Sequence, residues 1–215
     1  MSEKLTNKQI LALPNKEDIV KALDEKYPGG MECMKKMLSL IGDNPDREGL
    51  RETPFRMLKS FLELFGGYEE DPKKILGTFF EEGIGNNNAD EIIICRGIKF
   101  FSTCEHHFLP FSGVAHIGYL PGDKNRRVIG LSKMARLTEC FARRLQIQEQ
   151  LTSQIVDVMM EVLQPQGCAC VIEATHQCMT CRGVKNPSSS MVTSAMRGKF
   201  QTQPQTRAEF LSLIK

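Results

Sequence analysis

Apolar residues in the first third of the chain recur at the spacing of one helix face. Ile19, Ala22 and Leu23 form one set, and Met34, Met37, Leu38 and Ile41 a second. Gly29-Gly30 and Gly42-Asp43-Asn44-Pro45 interrupt them as breakers. A third helix is expected to open at Thr53-Pro54, threonine capping and proline in the first turn, with Arg56 and Lys59 three apart on one side. Gly83 to Asn88 is a loop by composition. Beyond it the period shortens, and Glu91–Phe101 and Gly113–Leu120 read as strands, the second alternating through Val114, His116 and Gly118. Pro121-Gly122-Asp123 is a turn and Val128-Ile129-Gly130 a short return strand. Ser132–Leu145 and Glu149–Leu163 carry helical patterns rich in Leu, Met, Ile and Val. Cys168–Thr175 and Met191–Phe200 read as strands, and Thr206-Arg207-Ala208-Glu209 has the form of a capping box opening a last helix. Strand pair, helix pair and strand pair joined by short connections predict an α+β fold, an antiparallel sheet with two helices on one face. An N-terminal helical region over 1–65 precedes this sheet domain over 66–215.

Composition narrows the function. The hydrophobic fraction of 41% supports a core, and a net charge of +2 gives no broad footprint for nucleic acid. Basic residues gather instead near the chemistry described next: Arg126, Arg127, Lys133, Arg136, Arg182, Lys185, Arg197 and Lys199, a pattern suited to a compact anion. Met1 to Val20 lacks an apolar core of signal-peptide length, and no run approaches a membrane span. A cytoplasmic protein with no membrane attachment is therefore expected, its eight cysteines reduced or bound to metal. Cys33, Cys95, Cys140, Cys168 and Cys170 read as buried packing residues.

The chemistry lies in two clusters, Cys104-Glu105-His106-His107 and His176-Gln177-Cys178-Met179-Thr180-Cys181, which hold three of the four histidines. Thiolates and imidazoles together select zinc. In an extended strand Cys104 and His106 would share a face, whereas Cys104 and His107 converge only if the chain turns; the spacing leaves both open. Cys178 and Cys181 have the C-x2-C spacing of zinc ribbons, so four ligands and a closed structural site stand beside three ligands and an open catalytic one. Histidines beyond the ligand requirement point to proton transfer. A zinc nucleobase deaminase requires H-x-E followed by P-C-x-x-C, and the order here excludes it.

Several segments together resemble the GTP cyclohydrolase I family, which opens the purine ring of GTP. They are Glu52-Thr53-Pro54-Phe55-Arg56, Ser102-Thr103-Cys104-Glu105-His106-His107, Pro110-Phe111, Val128-Ile129-Gly130-Leu131-Ser132-Lys133, Gln148-Glu149-Gln150-Leu151-Thr152, Ala174-Thr175-His176-Gln177-Cys178-Met179, Arg182-Gly183 and Thr193-Ser194-Ala195-Met196-Arg197-Gly198-Lys199-Phe200. In order and spacing they cover residues 30 to 212. The resemblance implies a tunnelling-fold (T-fold) domain and zinc (Zn2+) held by Cys104, His107 and Cys178. It places His106 and His176 in proton-transfer roles and Ser132 in the catalytic set, with Lys133 against substrate. Glu149 matches the guanine-binding carboxylate, and Gln148, Arg136 and Arg182 match pocket positions. Arg56 and Lys59 match basic residues near the triphosphate. Cys181 departs from the family pattern and is taken as a bystander. The implied reaction is hydrolysis of GTP at C8 with release of formate, leading to 7,8-dihydroneopterin triphosphate and pterin and tetrahydrofolate synthesis. The implied assembly is a homo-oligomer, a toroidal decamer with active sites between subunits.

Overall fold

A computed structural model describes residues 4–78, 91–122 and 127–215; the expected loop Gly83–Asn88 and Asp123 of the expected turn lie outside them. The chain divides into two compact units, Met1–Glu69 and Glu70–Lys215.

The first unit is helical: α1 (Asn7–Leu11), α2 (Lys16–Lys26), α3 (Gly30–Leu40) and α4 (Thr53–Leu64). Ile10, Ile19, Ala22, Leu23, Met34, Leu58 and Leu62 form its core. The sequence reading missed α1, whose five residues are too few for a period but which opens on a capping box between Thr6 and Gln9. Three local readings are corrected. In α4 the cap position is Glu52, which places Thr53 inside the helix. On α3 the buried stripe is Met34 and Leu38, four apart, so Met37 is 44% and Ile41 78% exposed. Cys33 precedes that stripe by one position, about 100° round the helix, and is exposed rather than buried.

The second unit opens with α5 (Pro72–Leu76), another short helix the sequence reading missed, capped by Asp71. It is built on a five-stranded sheet of order β3-β1-β2-β4-β5. The strands are β1 (Ile93–Cys104), β2 (Pro110–Leu120), β3 (Leu145–Gln146), β4 (Gly167–His176) and β5 (Met191–Gly198). β1, β2, β4 and β5 pair antiparallel, as expected. β3, which the helical pattern had absorbed, pairs parallel to β1 through Thr103↔Leu145 and Cys104↔Gln146. The two long helices α6 (Leu131–Ala142) and α7 (Gln148–Leu163) cover one face. Their Met134, Leu137, Phe141, Leu151, Ile155 and Met159 join Phe100, Phe111, Ala115, Ile117, Tyr119 and Ile172 of the sheet in one core. After β4 come α8 (Gln177–Thr180) and β5, then α9 (Lys199–Thr202) and α10 (Pro204–Leu213). Phe200 and Phe210 of the last two cover Leu120 and Ala169 on the opposite face. The helix expected from Thr206 thus starts at Pro204, with no side-chain cap, and Thr206 Oγ1 bonds Gln203 instead. Of the expected return strand only Val128 makes a bridge. Among the described residues no helix is long and apolar enough to cross a membrane.

A bulge in β1 decides which way Cys104 points. Cys95 pairs with Ile117 and Ile98 with Ala115, so β1 carries one residue more than β2 over this step, with Gly97 at φ +78°. The extra residue reverses the alternation: Ile98, Phe100 and Cys104 are buried while Phe101 is 74% exposed. Without it Cys104 would face the other side of the sheet.

Gly113 marks the tightest approach in the sheet. A Cβ there would lie 2.0 Å from the Glu173 carbonyl oxygen and 2.6 Å from Ala174 Cα, both backbone of β4. Gly113→Ala is therefore expected to destabilise the protein by roughly 3 kcal/mol, read from its denaturant midpoint. A loss below about 1 kcal/mol would contradict this contact.

Candidate metal centre

The β1–β2 connection brings His107, not His106, towards Cys104. β1 ends at Cys104, and the chain turns: the Phe108 N–H donates to the Cys104 carbonyl at 2.9 Å and the Cys104 N–H to the Leu109 carbonyl at 2.8 Å. Phe108 takes the left-handed conformation, φ 54°. The Glu105 N–H also donates to Gln146 in β3, anchoring the turn to its neighbour strand. The turn brings His107 back over Cys104, with Nδ1 3.7 Å from Sγ. The His106 ring lies 6.2 Å from that of His107 at 77°, close to Glu105 and exposed.

Cys178 reaches the same place from β4. Phe111 pairs with His176 across the β2–β4 ladder, and α8 begins immediately after. Ligand atoms of Cys104, His107 and Cys178 lie within 4.8 Å of one another. Two ligands on a tetrahedral zinc, one sulfur and one nitrogen, stand about 3.6 Å apart, which the Cys104–His107 separation matches. Burial pushes the Cys178 thiol up, and the adjacent Cys104 pushes it further, while Arg182 opposes both. Two thiols held side by side resist ionising together unless a cation lies between them. The donor set therefore fits a zinc ion. Cys181, exposed at the end of α8, is outside the group and directs its thiol to the Gln177 carbonyl at 3.0 Å. The packing cysteines differ in kind: burial pushes Cys168 up to about 12 and Cys170 well above its ordinary value.

His176 sits beside this group with its ring stacked on Phe111, centroids 4.4 Å apart and planes 4° from parallel. Its Nε2 is 2.8 Å from Gln148 Oε1. Burial lowers its pKa, and Glu149 acts against that, which places the exposed Glu149 carboxylate within electrostatic reach of the ring. Gln148 is 1% exposed and its side-chain amide is bonded at both ends, to carbonyls and Thr193 through Nε2 and to His176 through Oε1. Phe111 and the Thr152–Thr193 hydroxyl pair behind Gln148 were given no role by sequence. Phe111 lies within the Pro110-Phe111 segment, but nothing in its spacing reveals a stacking partner.

The remaining site residues of the sheet domain separate into two ends. Cys104, His106, His107, Gln148, Glu149, His176, Cys178 and Arg182 gather at one. Ser132 and Lys133 start α6, and the preceding Ile129 N–H bonds the Tyr119 hydroxyl. Tyr119 stands eight residues along β2 from Phe111, about 26 Å away at strand rise. α6 then runs back for twelve residues, about 18 Å. Ser132 and Lys133 are thus on the order of 20 Å from Cys104 of their own chain, and Arg136 is one turn nearer. Ser132 is not the helix cap, which is Gly130. Arg56, exposed, and Lys59, half-buried, lie on α4 of the helical unit.

The GTP cyclohydrolase I family model matches residues 31–215. This chain belongs to the GTP cyclohydrolase I family. It is 50% identical over 193 residues to GTP cyclohydrolase 1 of Wolinella succinogenes, covering 90% of this chain and all of that one. It is 49% identical over 184 residues to the enzyme of the same name from Dehalococcoides mccartyi, covering 86% and 94%. The GTP cyclohydrolase 1 of Mycobacterium bovis is 49% identical over 182 residues, covering 85% and 87%. Among solved structures, an archaeosine synthase QueF-Like in the apo form aligns over 50% of this chain and 93% of its own at TM-score 0.40 and 11% identity.

Proposed function

We propose that the chain is a zinc-dependent GTP cyclohydrolase I, hydrolysing the purine ring of GTP at C8, releasing formate and yielding 7,8-dihydroneopterin triphosphate. The observation that carries this reading within the fold is a three-ligand group with a histidine beside it. Cys104, His107 and Cys178 would hold the ion, which when bound would supply a hydroxide-strength nucleophile at neutral pH. C8 of guanine is a weak electrophile, and His176 answers that by protonating N7. His106, exposed at the tip of the turn, serves a second transfer. Glu149 accepts from N1–H and the 2-amino group together, a pair of donors adenine lacks, so discrimination against ATP is large. Arg182, beside Cys178, fits an anionic substrate, and Arg56 and Lys59 fit the triphosphate.

Ser132, Lys133 and Arg136 serve the same substrate only if a second copy supplies them, since their own chain carries Ser132 and Lys133 at the far end of the sheet. This supports a homo-oligomer with sites between subunits, which we read as the toroidal decamer of the family. The unit from Glu70 onwards is then the tunnelling-fold catalytic domain, preceded by a helical region. The reading includes a cytoplasmic setting and the first step of pterin and tetrahydrofolate synthesis.

Incubation of the zinc-loaded protein with GTP tests it: formate and pterin absorbance should rise together, one formate per GTP. Zinc-replete protein that leaves GTP intact would overturn it. Cys181→Ser is expected to keep one equivalent of zinc by elemental analysis. Loss of zinc in that variant would make Cys181 a fourth ligand and the site a closed structural one.

A further inference from the structure

The bonds around Gln148 have fixed directions. It is the first residue of α7, almost wholly buried, at the end of the sheet where His176 lies. Its Nε2 stands 2.8 Å from the Met191 carbonyl, 3.1 Å from the Ile172 carbonyl and 3.1 Å from Thr193 Oγ1. Carbonyl oxygens only accept, so the amide end facing two of them is the NH2. Turning the amide over would aim its oxygen at both carbonyls, acceptor against acceptor. The hydroxyls agree with this sense. Thr152 Oγ1 donates to the Gln148 carbonyl at 2.6 Å, so the Thr193 hydroxyl donates to Thr152 at 2.7 Å and keeps its lone pairs for the amide.

It follows that Gln148 Oε1 faces His176 Nε2 at 2.8 Å. An amide oxygen cannot donate, so Nε2 carries the hydrogen. The stack on Phe111 holds the plane of the ring and the amide holds its rotation within that plane. Among the described residues no protein group bonds Nδ1.

We propose that Gln148 is a positioning residue, not a substrate contact, which fixes His176 with its hydrogen on Nε2 and makes Nδ1 the atom through which His176 passes protons. This rests on the proton-transfer reading of His176. In the step itself the Nδ1–H bond of the doubly protonated ring breaks, a new N–H bond forms at guanine N7, and the positive charge moves to the purine. Nε2–H stays intact throughout, and Gln148 Oε1 accepts from it while the ring is charged as well as after. Substrate could take the Gln148 NH2 only by displacing the Met191 and Ile172 carbonyls, and its Oε1 already faces His176.

The test is nitrogen NMR on full-length, zinc-loaded protein labelled with 15N-histidine, at alkaline pH where the ring is neutral. His176 is assigned by its disappearance in His176→Gln. Wild-type His176 should show a protonated Nε2 and an unprotonated Nδ1. Gln148→Leu removes the acceptor, so the Nδ1–H form should become populated, and kcat should fall about 10- to 100-fold with little change in KM. Thr193→Val leaves both carbonyls holding the amide and should preserve the wild-type tautomer. A wild-type spectrum with the hydrogen on Nδ1 overturns the proposal, and that reading needs no variant to fold. So does a Gln148→Leu protein whose tautomer and kcat both match wild type. Full turnover by His176→Gln would instead sink the underlying proton-transfer role, whatever the tautomer.

Discussion

Cys178→Ser is expected to lose both the metal and the activity, with turnover of GTP falling about a thousandfold or more. The proposed centre has three protein ligands, delivered by two separate structures: the β1–β2 turn brings Cys104 and His107, and α8 brings Cys178. A serine hydroxyl at neutral pH is not the anionic soft ligand zinc selects. Loss of an outer-sphere partner alone costs 10- to 100-fold in affinity or activity, so loss of a ligand must cost more. The fold should survive, because Cys178 is only half-buried and the core of the sheet domain lies under α6 and α7. Elemental analysis should find well under one zinc per chain, with an unchanged far-ultraviolet circular dichroism spectrum. One equivalent of zinc together with wild-type turnover would contradict the ligand assignment.

His176→Gln is expected to separate proton transfer from metal binding. The three ligands are untouched, so zinc should remain at one per chain, while kcat falls by about 10² to 10⁴, the range a positioned general acid contributes. Glutamine can keep a donor near Gln148 Oε1 but has no basic nitrogen, so the hydrogen bond survives and the proton relay does not. Loss of the ring also removes the stack on Phe111, a cost of about 0.5–1.5 kcal/mol that should appear as a small drop in melting temperature. Formate release at saturating GTP, measured beside zinc content, distinguishes the outcomes. Undiminished kcat would remove His176 from the mechanism; loss of zinc would mean that the ring helps hold α8 in place.

Both variants turn on residues that were legible as motifs, which shows where sequence is strong. β1, β2, β4 and β5 each contain a long apolar or alternating run, and α6 and α7 fill several turns, so their patterns stand out. Elements below that length leave no periodicity: α1 and α5 have five residues each, and β3 is two residues defined only by pairing with Thr103 and Cys104. α10 started early because Pro204 suits a first turn better than Thr206 suits a cap. Cys33 was misread because a mixed neighbourhood in sequence does not say which way a helix faces.

The site divides in the same manner. The convergence of Cys104 and His107 depends on a turn whose left-handed residue is Phe108, and no glycine there announced it. The C-x2-C spacing of Cys178 and Cys181 invited a fourth ligand, yet the latter thiol is directed to the Gln177 carbonyl. Gln148 could be found by motif but not understood by it, since its side-chain partners come from β4 and β5 at once. The distance between Ser132 and Cys104 within one chain is likewise a property of the folded sheet, and it is the observation behind the proposed second subunit.

Zinc K-edge X-ray absorption on the metal-loaded protein tests the centre most directly. Cys104, His107 and Cys178 with an open position predict two sulfurs at about 2.3 Å and one imidazole nitrogen at about 2.0–2.1 Å, with one further light atom completing four. Three sulfurs and one nitrogen, with no light atom left over, would place Cys181 on the metal and contradict an open catalytic site.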